Sequence, residues 1–308
     1  MTELPLADRV ALVTGAGRGI GAAIARELAA RGAKVLVVDS GTGIDGHGGD
    51  PKVAKQLAAE LGDAARPFTK SIASPSAAKA AVDAAVSAFG GIDIVVNNAA
   101  ILRDGFLFKS EPADFEAVLR TNLMAPWYLL NAATPILREQ FKAGRGHGRI
   151  INMVSSAGLY GNYGQAAYAS AKAGLHGLTR VAAMDMARSG CTANAIAPFA
   201  RTRVTETIQP ENDAQKAYKE RAMRIDARHL GIFVAWLCSD NAARITGQLF
   251  GVRGRQILMF SQPRPMRSAV APGSAWTFDE LTTQVGDWRK DFAPLITDLE
   301  AFNIEPHV

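Results

Sequence analysis

The 308-residue sequence is poor in cysteine, in long apolar runs and in clustered charge. Only Cys191 and Cys238 occur, and neither stands in a CxxC pair or beside a His/Cys cluster. That spacing argues against a disulfide framework and against a zinc site; no metal is expected, and the two thiols fit a reducing, cytoplasmic setting. No apolar run approaches the roughly 20 residues that a membrane-spanning helix needs. The start, MTELPLADRV, has no basic region followed by an apolar stretch, so neither a secretory signal nor a membrane partner is expected. The net charge is +5, yet there is no Lys/Arg block and no basic stripe interleaved with aromatics. The densest basic patch, GRGHGR (144–149), reads as a loop, which makes nucleic acid an unexpected partner.

What the chain does have is alternation. Short β-branched runs, VALVT (10–14), KVLVVD (34–39), IDIVVNN (92–98), RIINMVS (149–155), TANAIA (192–197) and QLFGV (248–252), alternate with helical patterns. The helices are expected over 20–32, 52–61, 75–89, 112–140, 164–188 and 228–238, with spacing-four apolar residues such as Ile20, Ile24 and Leu28. Strands buried on both faces and separated by helices specify an α/β fold, a Rossmann-type doubly wound parallel sheet. The sheet is expected to be complete near residue 252. From about residue 260 the pattern turns Pro/Ser/Arg-rich and then amphipathic. The expected organisation is one domain, 1–260, carrying cofactor and substrate sites together, with a helical C-terminal extension, 261–308.

A glycine cluster, Gly15, Gly19 and Gly21, falls between the first strand and the first helix. Glycines there permit a tight turn and let the backbone approach a pyrophosphate at the helix N-terminus. Asp39 ends the second strand, where an acid would hydrogen-bond an adenosine ribose. Arg18 pulls the other way, since a cation could hold a 2′-phosphate. Asp39 is placed nearer the ribose, so NAD is expected over NADP.

The run AYASAK (167–172) puts Tyr168 and Lys172 at i and i+4, on one face of a helix. Taken with TGAGRGIG, VVNNAA (95–100), the TNL of 121–123 and NMVSSAG (152–158), it resembles the motif set of the short-chain dehydrogenase/reductase family, in that family's order, over about residues 5–257. The resemblance implies hydride transfer between NAD and a secondary alcohol or ketone. It makes Tyr168 the general acid/base, Lys172 its cationic partner and a holder of the nicotinamide ribose, Ser155 the group that holds the substrate oxygen, with Ser156 as a spare, and Asn122 the anchor of a proton relay. A free tyrosine has a pKa of about 10, so a nearby cation is expected to favour the phenolate. Ile20, Asn98, Pro198 and Thr202 fall on the cofactor side. A homo-oligomer, dimer or tetramer, is also implied.

The sequence departs from that pattern in places. Ser71-Ile72 stands where an acid would touch adenine, Ala100 where glycine is usual, and Phe199 where Pro-Gly is usual. APFARTRVT (197–205), DSGTGIDGHGGD (39–50), NNAAILRD (97–104) and SAGLYGNYGQAAY (156–168) resemble a narrower group, the dehydrogenase domain of peroxisomal multifunctional β-oxidation enzymes and bacterial hydroxysteroid or (3R)-hydroxyacyl-CoA dehydrogenases. A bulky apolar small-molecule substrate is expected, with Phe199, Leu159, Tyr160 and Tyr163 in segments flanking the pocket. A 3-oxoacyl carrier-protein reductase, a polyol dehydrogenase and a non-catalytic NAD-sensing scaffold are the alternatives. The apolar residues of the extension, from Trp276 to Phe302, are expected to bury, and to fold back over the substrate mouth.

Overall fold

Strand β1 (Val10–Thr14) buries every residue, and β2 (Lys34–Val38) all but its first. Their side chains alternate between two cores: Val10, Leu12, Leu36 and Val38 enter one, Ala11, Val13, Val35 and Val37 the other. A strand apolar on both faces needs cover on both sides. Helices α1 (Gly19–Ala30) and α2 (Lys52–Leu61) supply Ile24, Leu28 and Leu57 to one core, while α3 (Pro75–Phe89) supplies Val82 to the other. Between and after these run β3 (Ala65–Phe68), β4 (Ile94–Asn97), α4 (Pro112–Leu119), α5 (Ala125–Lys142), β5 (Arg149–Met153), α6 (Ala157–Tyr160), α7 (Ala166–Asp185), β6 (Thr192–Phe199), α8 (Arg203–Thr207), α9 (Asp213–Ala222), α10 (Arg228–Cys238), β7 (Leu249–Arg253) and β8 (Gln256–Met259). This computed structural model describes residues 4–207, 209–210 and 212–308. The first three residues of the expected domain, 1–3, lie outside the described residues.

The eight strands form one sheet in the order β3-β2-β1-β4-β5-β6-β7-β8. Strands β1 to β7 pair in parallel. The doubly wound sheet expected from the sequence is therefore present, with two additions. β3, of sequence ARPF, lies at one edge and exposes Arg66 and Pro67, so no apolar run marks it. β8 turns back antiparallel on β7 after Gly254, whose φ of +59° suits the first central position of a two-residue hairpin. The long helix expected over 112–140 is broken by a π turn, Arg120–Met124, where the Ala125 N–H reaches back to the Arg120 carbonyl. Pro126 has no N–H to give the Asn122 carbonyl, and the Asn122 side chain is held by the Ile101 backbone, so the α register cannot pass through this point unbroken.

The strand order reverses between β1 and β4. In an open α/β sheet that reversal opens a crevice beyond the carboxyl ends of the strands. The chain divides into two units: Met1–Phe260 together with Thr297–Val308, and Ser261–Ile296. The smaller unit holds α11 (Phe278–Gly286), whose N-terminus carries a Thr277/Glu280 capping box. Its apolar residues Phe278, Leu281, Val285, Phe292, Leu295 and Ile296 are exposed, so this unit does not bury them in a core of its own. Thr297–Val308, with α12 (Asp298–Ala301), is a strap on the larger unit, where Phe302 is buried in the core.

Candidate active site

A cleft of about 400 Å³ opens at the reversal point. Gly15, Arg18, Gly19, Ile20, Gly21, Asp39, Ser71, Ile72, Asn98, Pro198 and Thr202 all line it, and so do Ser155, Tyr168 and Lys172. Its cofactor side is built from the ends of β1 and β4. Thr14 Oγ1 accepts from the N–H groups of Asn98 (2.9 Å) and Ala99 (3.0 Å), and Asn98 Nδ2 donates to the Thr14 carbonyl at 2.9 Å. The glycine turn then runs into α1. A Cβ on Gly21 would lie 2.1 Å from the Gly15 carbonyl oxygen, so the helix can begin this close to the turn only without a side chain. A Cβ on Gly19, at φ +54°, would meet nothing within 4 Å, which leaves the mouth of the helix open. No side chain caps α1. Free N–H groups at an open helix start suit a pyrophosphate, so the residues present fit a dinucleotide.

Asp39 is more deeply built in than its sequence position suggests. Its Oδ2 accepts from the Gly17 N–H at 2.9 Å and its Oδ1 from the Gly41 N–H at 2.7 Å. The acid thus ties the glycine turn to the loop after β2. Arg18 and Arg203 both donate to the Thr42 carbonyl, at 3.2 and 3.3 Å. Burial and the neighbouring Arg18 guanidinium pull the Arg203 pKa below its ordinary value, while Asp39 opposes them.

On the other side of the cleft, Ser155 follows β5 and Tyr168 and Lys172 stand on α7. Ser155 Oγ accepts from the Ala157 N–H at 3.2 Å, which fixes the turn into α6. Lys172 is 2% exposed, and its Nζ donates to the Met153 carbonyl at 2.7 Å and lies 5.6 Å from the centre of the Tyr168 ring. Asn122 is fully buried and does not line the cleft. Its amide is occupied by Ile101, accepting from the N–H and donating to the carbonyl, both at 2.9 Å.

A family model described as short chain dehydrogenase matches residues 9–215. The chain belongs to the short-chain dehydrogenase family. It is 36% identical over 292 residues to the hydroxyacyl-CoA dehydrogenase ChsB1 of Mycobacterium tuberculosis, covering 92% of this chain and 89% of that one. It is 36% identical over 262 residues to the peroxisomal multifunctional enzyme A of Dictyostelium discoideum, covering 85% of this chain and 56% of that protein. The crystal structure of 3-ketoacyl-(acyl-carrier-protein) reductase from Brucella melitensis, complexed with NADH, superposes with a TM-score of 0.72 at 29% identity, covering 81% of this chain and 98% of that one.

In this short-chain dehydrogenase, burial dominates the electrostatics of the tyrosine. It pushes Tyr168 up to about 12, a hydrogen bond with Ser155 works downward, and the carboxylates of Asp298 and Asp104 work upward. Burial also lowers Lys172 to about 8. Burial thus outweighs the lowering of Tyr168 expected from Lys172, whose ammonium is tied to the Met153 carbonyl. Of the four expected apolar wall residues, Phe199 lines the cleft. Leu159, Tyr160 and Tyr163 do not; Tyr163 is 80% exposed, and Tyr160 packs edge-on against Phe302 at 5.5 Å. Ser156 is not a spare for Ser155, since its hydroxyl donates to Asp298 at 2.9 Å. Thr14, Gly17 and Arg203 had signals in the sequence, a strand-end hydroxyl, a fourth glycine of the cluster and a cation beside Thr202. Asp298 had none.

Proposed function

We propose that the protein oxidises a secondary alcohol with NAD, or runs the reverse reduction, on a substrate with a bulky apolar body such as a (3R)-hydroxyacyl-CoA or a hydroxysteroid. One observation carries this: Ser155, Tyr168 and Lys172 share a single cleft with an uncapped helix start and an acid-locked glycine turn. The names of the Mycobacterium relative and of the NADH-bound Brucella structure support the substrate class and the cofactor. Phe199, Ile225 and Leu299 supply apolar surface to the cleft, beside the polar Tyr218, Arg221, Arg253 and Asp298. The Brucella structure's name equally suits a carrier-protein reductase, the second reading.

In this scheme Gly15, Gly19, Ile20 and Gly21 hold the pyrophosphate, Asp39 meets the ribose, Ser71 and Ile72 flank the adenine, and Asn98, Pro198 and Thr202 border the nicotinamide end. The bound nicotinamide supplies the hydride acceptor. Ser155 holds the substrate oxygen and Tyr168 takes the hydroxyl proton. Only its phenolate can do so. With a pKa near 12 that form is scarce at neutral pH, so oxidation speeds up as pH rises towards the tyrosine's pKa. A positive charge at the nicotinamide position favours the phenolate and moves that limb down. Lys172 orients the cofactor ribose, and Asn122 fixes the Ile101 backbone beside the tyrosine. The exposed Phe115, Met124, Trp127, Val181 and Met184 on α4, the π turn, α5 and α7 support assembly with further copies of the chain. Among the described residues no helix is long and apolar enough to cross a membrane; a cytoplasmic setting is proposed from the two unpaired, buried thiols of Cys191 and Cys238.

The test is Tyr168→Phe, assayed on NAD-coupled hydroxyacyl-CoA, hydroxysteroid and polyol substrates. Turnover should fall at least about 100-fold, the lower range for a lost general base, while NAD affinity stays within a few fold. A variant that keeps its rate removes the acid/base assignment. Turnover of polyols alone removes the apolar substrate.

A further inference from the structure

The sequence motifs place no functional group beyond Thr202, yet Asp298 and Leu299 both line the cleft. Asp298 sits at the start of α12 and is 8% exposed. Its Oδ2 accepts the Ser156 hydroxyl at 2.9 Å, and its N–H donates to the Gly161 carbonyl at 3.1 Å. Its Oδ1 is buried without a partner. A carboxyl group so poorly compensated is expensive to bury, so strong contacts elsewhere must hold it there. They are present. Phe302 packs against Phe199 at 4.6 Å and Tyr160 at 5.5 Å. Arg253 donates to the Glu305 carbonyl at 3.0 Å and to the Ile304 carbonyl, and Arg221 donates to Asn303 Oδ1 at 2.6 Å. Arg221 and Arg224 both pair with the Glu305 carboxylate. The strap is thus fastened along its length, and the fastening drives one acid into the site.

We propose that Asp298 is a positioning residue of the active site, carried in by the strap: its carboxyl group fixes the Ser155–Ser156 turn and places a titratable group within electrostatic reach of Tyr168. The proposal rests on the assignment of Tyr168 as the acid/base. Both serines line the cleft, but the Ser156 hydroxyl is taken by Asp298 while that of Ser155 is left to Tyr168. The titratable and charged groups that share this cleft with Asp298 include Tyr168 and Lys172 from α7, Tyr218 and Arg221 from α9, and Arg253 from β7; Asp104, in the loop after β4, acts on the same tyrosine. Burial pushes the Asp298 carboxyl up from its ordinary value, and its ionised form pushes both Tyr168 and Tyr218 up. Ionised Asp298 therefore opposes the phenolate, and neutral Asp298 permits it.

Asp298→Asn keeps an acceptor for Ser156 but cannot ionise; Asp298→Ala removes both. In the full-length protein, the pH profile of kcat should shift its tyrosine limb to lower pH in both variants, by on the order of one unit. Asp298→Ala should also lose kcat that Asp298→Asn restores. Ser156→Ala breaks the hydrogen bond to Asp298 but leaves its charge, so it should lose kcat with the limb in place, and it tests the positioning role if an Asp298 variant does not fold. A limb that stays in place in a folded Asp298 variant, or wild-type kcat in Ser156→Ala, at wild-type NAD affinity, overturns the proposal. Tyr168→Phe run alongside separates the two ideas: if it retains turnover and the limb, the acid/base assignment fails instead.

Discussion

Asp39→Ala removes an acceptor shared by two main-chain donors, Gly17 and Gly41, at 2.9 and 2.7 Å. Each such bond contributes about 0.5–1.5 kcal/mol net, so the pair contributes about 1–3 kcal/mol to the closed arrangement of the glycine turn. At 1.4 kcal/mol per factor of ten, that lowers the closed population's advantage by about 5- to 150-fold before any contact with the ribose is counted. NAD affinity should fall by up to that much through the turn, and further for the lost ribose contact. Asp39→Asn keeps one acceptor oxygen and should lie between the wild type and Asp39→Ala. NADP behaves differently. Both variants remove a negative charge that would face a 2′-phosphate, while Arg18 and Arg203 remain at the Thr42 carbonyl. The ratio of NADP to NAD affinity should therefore rise in both. Calorimetric titration of each cofactor into the three proteins, with a thermal transition for each, checks this. An unchanged ratio would show that Asp39 does not face the ribose. Wild-type affinity for NAD in Asp39→Ala would refute the role of the acid in closing the turn.

Two further outcomes concern stability and the strap. Burial holds Lys172 near 8, against about 10.4 for a free lysine, so the folded state binds fewer protons between those values and wild-type stability rises with pH through that window. Lys172→Met should abolish turnover, be the more stable protein at pH 7, and lose that advantage as pH approaches about 10.4; a stability gap independent of pH in thermal melts would count against the assignment. Truncation after Ile296 removes Asp298, Leu299 and the buried Phe302. Loss of a buried phenylalanine side chain costs about 3–5 kcal/mol, so the melting point should drop, NAD binding should persist and substrate KM should rise about tenfold or more; a shortened protein with unchanged kcat and KM would show that the strap has no part in the site.

Legibility followed contact range. β1, α2 and α10 fall where the apolar patterns put them, because each pattern is local and complete. β3 and β8 are edge strands with a half-exposed pattern, so no burial signature marks them. The break at Asn122 needed the Ile101 backbone as well as Pro126, and the first of those is a contact across 21 positions. The cleft residues from Gly15 to Thr202 were legible as motifs, since short spacings encode a glycine turn or one face of a helix. What Asp39 does with its two oxygens was not, because ribose and backbone donors ask for the same residue type. Asp298 meets Ser156 across 142 positions, and no local pattern distinguishes it from a solvated acid at a helix start.

The strap also imposes an order of manufacture. The chain leaves the ribosome from its N-terminus at about 5–20 residues per second, and domains begin to fold as they emerge. Every residue assigned to the cofactor lies at or before Thr202, whereas Asp298 and Leu299 are the last of the cleft's residues to be made. A nascent chain can thus present the dinucleotide cradle before Asp298 and Leu299, the last part of the opposite wall, have been made. A protease that trims the strap, or a message that stops short of it, would leave a protein of the same kind: able to sequester cofactor, with the chamber for its alcohol left unwalled.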